Sequence, residues 1–142
     1  MNKNNFIPIG AVVSVFIAIL SYTGWYYSDR SNKIEEVSVD EWDKVIDTNL
    51  RSFFYITQQV LYKMNNGGKI VNVSSIAGRN KSLVSGVHYT SSKAGLIGLT
   101  RQLAQELGPK GININCVCPS QTLTPMLERS MTKFEKFELA KN

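Results

Sequence analysis

Apolar and polar positions follow two unlike patterns along the chain. Residues 6–27, "FIPIGAVVSVFIAILSYTGWYY", are almost continuously apolar, and no charge occurs from Asn4 through Ser28. A helix of that length, rising 1.5 Å per residue, crosses a hydrocarbon core of ~30 Å. Tyr22, Trp25, Tyr26 and Tyr27 gather at one end, where amphipathic rings favour the headgroup level. The segment therefore predicts a transmembrane-like anchor within residues 1–32. A cleavable signal peptide, with Lys3 as its charged start, is the rival reading, but the bulky "GWYYS" lacks a small-x-small cleavage pattern. A fusion scar or rearrangement product without a selected role is the third. Arg30 and Lys33 close behind the segment, against Lys3 before it, lean toward a membrane-anchored chain with its C-terminal part cytosolic. If the segment is an artefact, the chain is cytoplasmic.

From residue 33 the pattern changes to alternating elements. Ser38 and Glu41 have capping-box spacing, each able to satisfy the other's orphan amide. Trp42, Val45, Ile46, Asn49, Leu50, Phe53 and Phe54 then recur at helical spacing, predicting a helix over 38–64. Asn65, Asn66, Gly67 and Gly68 stop it, the glycines suiting positive φ. "KIVNVS", 69–74, is short, β-branched and bounded, the pattern of a buried strand. After a polar loop through Gly86, residues 88–107 read as a second helix ended by Gly108-Pro109. "ININCVC", 112–118, is a second strand stopped by Pro119. Helix–strand–helix–strand order predicts parallel pairing with helices packed on the sheet.

Composition adds limits. Of 142 residues, 43% are hydrophobic and 19% charged, which excludes wholesale disorder, and the length suits one domain. The net charge is +5, but the sixteen Lys and Arg are scattered with no run of four, so no nucleic-acid footprint is present. Cys116 and Cys118 fall on one face of a strand about 6.5–7 Å apart, at the edge of disulfide reach. They read as small buried side chains in a reducing compartment, a lone C-x-C being a weak metal signal.

Three groups of residues carry chemistry. Tyr89 and Lys93, four apart on a helix, share a face. An ammonium beside a phenol stabilises the phenolate and lowers a pKa that otherwise lies near 10. Such a tyrosine exchanges a proton with a substrate oxygen near neutral pH. Ser75 follows the first strand, and in open parallel sheets ligands bind outside the carboxyl ends of the strands. Its hydroxyl there can donate to a carbonyl oxygen as charge develops. Thr122 and Thr124, after the second strand, would lie beside that place if the strands are neighbours, with hydroxyls suited to an amide or a phosphate. Taken singly each feature is weak: a solvated helix face, a loop-capping serine and an ordinary strand-to-helix loop explain them equally well. His88, the single histidine, reads as an exposed residue, or else as part of a substrate entrance.

In order and spacing, "NL" in the first helix, "IVNVSS", "YTSSKAG" and "NCVCPSQTLTPM" form a more specific set. The set resembles the short-chain dehydrogenase/reductase family over residues 33–134. The resemblance implies an α/β, Rossmann-type doubly wound parallel sheet and NAD- or NADP-dependent hydride exchange with a small alcohol or carbonyl substrate. It implies Asn49 as support for a proton-relaying water, Ser75 as the group polarising the carbonyl, and Tyr89 as general acid/base. Lys93 would lower the tyrosine's pKa and hold the nicotinamide ribose. Tyr89, Lys93, Pro119, Thr122 and Thr124 would contact the cofactor, with no metal. Helices 38–64 and 88–107 resemble those that pair subunits in the family, which implies a homo-oligomer.

Ser120 stands where the family usually has glycine. No G-x-G-x-x-G follows a strand. Residues 33–142 therefore read as a partial catalytic domain, an incomplete sheet of about two strands that lacks the family's N-terminal nucleotide-binding half and its pyrophosphate turn. The competing expectation is a non-catalytic, membrane-tethered interaction piece, or a fragment without function.

Overall fold

In the computed structural model the structure describes residues 33–64, 66–82 and 85–120. The anchor expected at 6–27 and the threonines at 122 and 124 lie outside the described residues. No helix among the described residues is long and apolar enough to cross a membrane.

Helix α1, Val39–Ile46, starts where the capping serine places it: Ser38 Oγ accepts from the Glu41 amide at 3.1 Å. The reciprocal half of the expected capping box is not formed. The Glu41 carboxylate instead faces His88 Nε2 at 3.5 Å. The predicted helix over 38–64 is not uniform either. A wider π turn, Asp47–Arg51, joins α1 to α2, Ser52–Leu61. Such a turn adds a residue to the helical circuit without ending it. The Ser52 hydroxyl caps it from outside by donating to Thr48 O at 2.6 Å, and Asn49 within it is turned inward to 1% exposure.

Strands β1, Lys69–Val73, and β2, Asn113–Val117, pair in parallel, Lys69 opposite Asn113 through Val73 opposite Val117. Helix α3, Val87–Leu107, is the crossover between them. The two turns leading into the strands each hold a glycine at positive φ, Gly67 at 88° and Gly111 at 68°, a region that penalises any Cβ.

Apolar packing falls into two clusters. Ile70, Leu107, Ile112 and Ile114 form one, with Leu61, Met64, Leu103 and Ala104 against it. Phe53 and Leu96 form the other, with Leu50, Val73 and Leu99. The sheet is buried mainly on one face. On β2 only Ile114 is buried, while Asn113, Asn115 and Val117 are exposed. Among the described residues the sheet has two strands, so helices cover the face of Ile70 and Ile114. Both cysteines are free and half-buried, with no disulfide between them.

Candidate active site

The carboxyl end of β1 is tied to both neighbouring elements before any catalytic group is placed. The Ser74 amide continues the ladder to Val117 O at 2.8 Å, and the Ser74 hydroxyl donates to Lys93 O at 2.8 Å. Ser75 is extended, with φ −156°, and its Oγ accepts from the Ala77 amide at 3.2 Å, capping a short 3₁₀ turn over Ile76–Gly78. The Ile76 amide donates to Pro119 O at 2.9 Å, which brings the segment after β2 beside the segment after β1. At Gly78 the turn lies against α3 so closely that a Cβ would fall 2.6 Å from the carbonyl carbon of Lys93. No flexible atom is available to yield there, so glycine is required by backbone contact.

On this platform α3 presents Tyr89 and Lys93. The Tyr89 phenol lies beside the Ser75 side chain. Burial raises the tyrosine above its ordinary value, and the Ser75 hydroxyl opposes that only in part. The expectation that Lys93 would depress it is therefore not met in this state. The Lys93 ammonium lies 5.6 Å from the ring centroid, over the face of the ring rather than at its oxygen, and it donates to Val73 O at 3.4 Å. Lys93 is 2% exposed, and desolvation lowers its pKa from 10.5 to about 8.

Asn49 enters from the π turn. Its Nδ2 donates to Ser92 Oγ at 3.2 Å, and the Ser92 hydroxyl donates to Tyr89 O at 2.7 Å. Asn49 is thus joined to the tyrosine's backbone through Ser92, a residue that spacing alone did not single out. Ser74 and Gly78 were missed for the same reason: both act on the Lys93 backbone, a contact with no periodic signature. His88 needs a correction. It is fully buried, neither exposed nor lining an entrance, because Nδ1 folds back to accept from the Tyr89 amide at 2.7 Å while Nε2 faces Glu41.

Asn49, Ser75, Tyr89 and Lys93 therefore converge at the carboxyl ends of two parallel strands, with Pro119 alongside. No group of His, Cys, Asp and Glu among the described residues is arranged to hold a metal. Two parallel strands, flanking helices and a site at their carboxyl ends define a Rossmann-like α/β protein.

The chain belongs to the short chain dehydrogenase family, whose model matches residues 21–134. The match begins inside the stretch 6–27 and ahead of the boundary expected at 33. The chain is 43% identical over 100 residues to the acetoacetyl-CoA reductase of an Acinetobacter strain, covering 69% of this chain and 40% of that protein. Among solved structures it is similar to a 3-oxoacyl-[acyl-carrier protein] reductase of Brucella melitensis with bound NAD, at TM-score 0.65 and 36% identity, covering 72% of this chain and 40% of that one. An angucycline C-6 ketoreductase with bound NADP matches at TM-score 0.65 and 30% identity, again covering 72% and 40%. The chain thus spans about two fifths of the length of the relatives it matches. Family members bind NAD or NADP.

Proposed function

We propose that these residues form the catalytic part of an NAD(P)-dependent oxidoreductase that interconverts an alcohol and a carbonyl. One observation carries the reading. The Ser75 side chain acts on the Tyr89 phenol at the carboxyl end of β1, so both hydroxyls can turn to a single acceptor oxygen placed between them. Ser75 is held at its place by the Ala77 amide and Tyr89 by the helix, so little reorganisation is needed when charge develops on that oxygen.

Because burial keeps Tyr89 protonated well past neutral pH, the phenol enters the reduction as an acid. It donates its proton to the carbonyl oxygen while Ser75 donates a hydrogen bond to the same atom. In the oxidation direction the phenolate must first form. An ammonium over the ring favours that form electrostatically once the site is filled.

The residues present fit the nicotinamide end of such a cofactor. Lys93 is a buried cation with three N–H donors and one hydrogen bond of 3.4 Å, a donor set suited to the vicinal hydroxyls of a ribose. When bound, the cofactor supplies or accepts a hydride at its nicotinamide ring. Asn49 fits support of a proton path, its amide held by Ser92. Pro119, Thr122 and Thr124 complete the cofactor contacts in this reading. Carbonyls of the 3-oxoacyl kind are the first substrates to try, since two of the similar proteins are named for them.

The test is titration of the chain with NADH and NADPH, read by tryptophan emission, followed by turnover of acetoacetyl-CoA. Saturable binding with turnover that falls ~10²–10⁴-fold in Tyr89→Phe at unchanged cofactor affinity is the expected result. No saturable binding up to millimolar cofactor would leave the interaction-piece reading. Phe54, Tyr55 and Tyr62 favour that second reading, being 45%, 55% and 80% exposed on and just after α2. That same face is also the one proposed for pairing with a second copy. Membrane attachment through 6–27, with the rest cytosolic, is part of the proposal too, and retention in the pellet after carbonate extraction tests it.

A further inference from the structure

Among the described residues one buried side-chain nitrogen has no hydrogen-bond partner, and it sits one residue from the catalytic tyrosine: His88 Nε2. A buried donor left unmade costs about 1–3 kcal/mol, so its presence at that position calls for a cause. The N-cap of helix α3 is Gly86, which has no side chain to cap the first-turn amides. The His88 imidazole takes over that role by accepting from the Tyr89 amide at 2.7 Å. A ring nitrogen that accepts carries no proton, so in the neutral ring the proton must be on Nε2. Nε2 in turn faces Glu41 Oε1 across 3.5 Å. That carboxylate makes no capping-box bond to the Ser38 amide and is partly exposed, at 20%, so it is free to approach Nε2.

We propose that His88 is a positioning residue: a neutral imidazole, protonated on Nε2, that caps the Tyr89 amide and latches the first turn of α3 to Glu41 on α1. The latch and the Asn49–Ser92–Tyr89 chain then hold the tyrosine's backbone from both sides, one at its N–H and one at its carbonyl. The carboxylate end of the latch is the only part open to solvent, so the imidazole itself is shielded from exchange of partners. The catalytic consequence rests on the reading of Tyr89 given above; the tautomer and the latch do not.

The chain has a single histidine, so its imidazole gives one set of nitrogen resonances that needs no assignment. Long-range proton–nitrogen spectra of the uniformly ¹⁵N-labelled chain at neutral pH are expected to show an unprotonated Nδ1 and a protonated Nε2, with the Nε2 signal moving in Glu41→Ala. A ring protonated on Nδ1, or on both nitrogens, overturns the proposal. So does an Nε2 signal indifferent to Glu41→Ala. Two near-isosteric variants separate the bonds, because the amide of Asn reproduces the Nδ1 position and that of Gln the Nε2 position. His88→Asn is expected to keep the Tyr89 amide protected from hydrogen exchange, and His88→Gln to lose that protection about tenfold. Equal protection in the two overturns the cap. If the chain turns over substrate, His88→Ala is expected to lower kcat about tenfold at unchanged KM, with partial rescue by His88→Asn. A change in KM alone overturns the positioning role. An inactive wild type with the expected tautomer refutes the enzyme reading and leaves the latch standing.

Discussion

The two halves of α3 are built on opposite principles. From Leu96 to Leu107 the helix buries Leu96, Thr100 and Leu107 at helical spacing against the strands and α2. Its one buried polar group there is neutralised twice, Thr100 Oγ1 donating to Leu96 O at 2.8 Å and accepting from Asn72 Nδ2 at 2.9 Å. From Val87 to Lys93 the helix buries His88, Ser92 and Lys93, none of them apolar. This half is held by single hydrogen bonds to Asn49, Ser74 and Val73 rather than by area. The C-terminal half stabilises the fold; the N-terminal half spends stability on a lysine and a tyrosine whose burial works against their charged forms. The contrast separates scaffold from site within one continuous helix.

Substitutions should divide along that line. Leu96→Ala, in the scaffold half, is expected to cost about 2–5 kcal/mol, because a fully buried side chain leaves a cavity that its neighbours fill only in part. Urea denaturation measures it, and a loss below 1 kcal/mol would mean the cluster around Phe53 and Leu96 is not a core.

Lys93→Met, in the site half, should do the reverse and raise stability at pH 7, by up to ~3 kcal/mol, since the folded state no longer holds a desolvated cation. The gain should depend on pH in a stated direction. The folded lysine gives up its proton near pH 8 and the unfolded one near 10.5. Between those values the unfolded chain binds more protons, so wild-type stability rises with pH and the advantage of Lys93→Met shrinks. Above pH 10 Tyr89, which keeps its proton longer folded than unfolded, turns the slope downward. Thermal melts across pH 7 to 11 of both forms check this, and a wild-type curve flat from 8 to 10 would contradict it.

Glycines offer a finer comparison. Gly78→Ala, where a Cβ meets the Lys93 backbone, is expected to destabilise by about 1–3 kcal/mol and to shift the amide signals around Lys93. Gly98→Ala, in the scaffold half with nothing within 4 Å of the added carbon, should stabilise by about 0.5–1 kcal/mol. Equal effects at the two glycines would remove the argument that close approach at Gly78 sets the lysine's position.

Much of this molecule could be read before any coordinates. The order of helices and strands, the parallel pairing, the stops at Asn65–Gly68 and Gly108-Pro109, and the family itself follow from periodicity, glycine placement and motif spacing, which are local in sequence. Tyr89 and Lys93 were legible for the same reason, being four apart on one helix. Ser75 was legible because strand ends in such sheets carry the site. Thr122 and Thr124 were named with them and lie outside the described residues, so that part of the site rests on the strand-end argument and the resemblance.

What spacing did not disclose depends on contacts between residues far apart in the chain. The π turn that turns Asn49 inward leaves no mark in the apolar pattern, because the helix continues on both sides of it. Glu41 is spaced for a local cap, yet packing of α1 on α3 offers it His88 instead. Ser92 and Ser74 are small polar residues with no period, and only the packing of α3 on the π turn and on the end of β1 makes them hydrogen-bond partners of Asn49 and Lys93. The sequence by itself determined the elements, their order and the residue types of the site, since these rest on backbone propensity and spacing along one chain. Tertiary structure alone decided which charges are buried and which polar atoms meet, and with them the raised tyrosine and the lowered lysine. Desolvation has no period: it is a property of what packs around a group, and that is fixed only when distant segments come together.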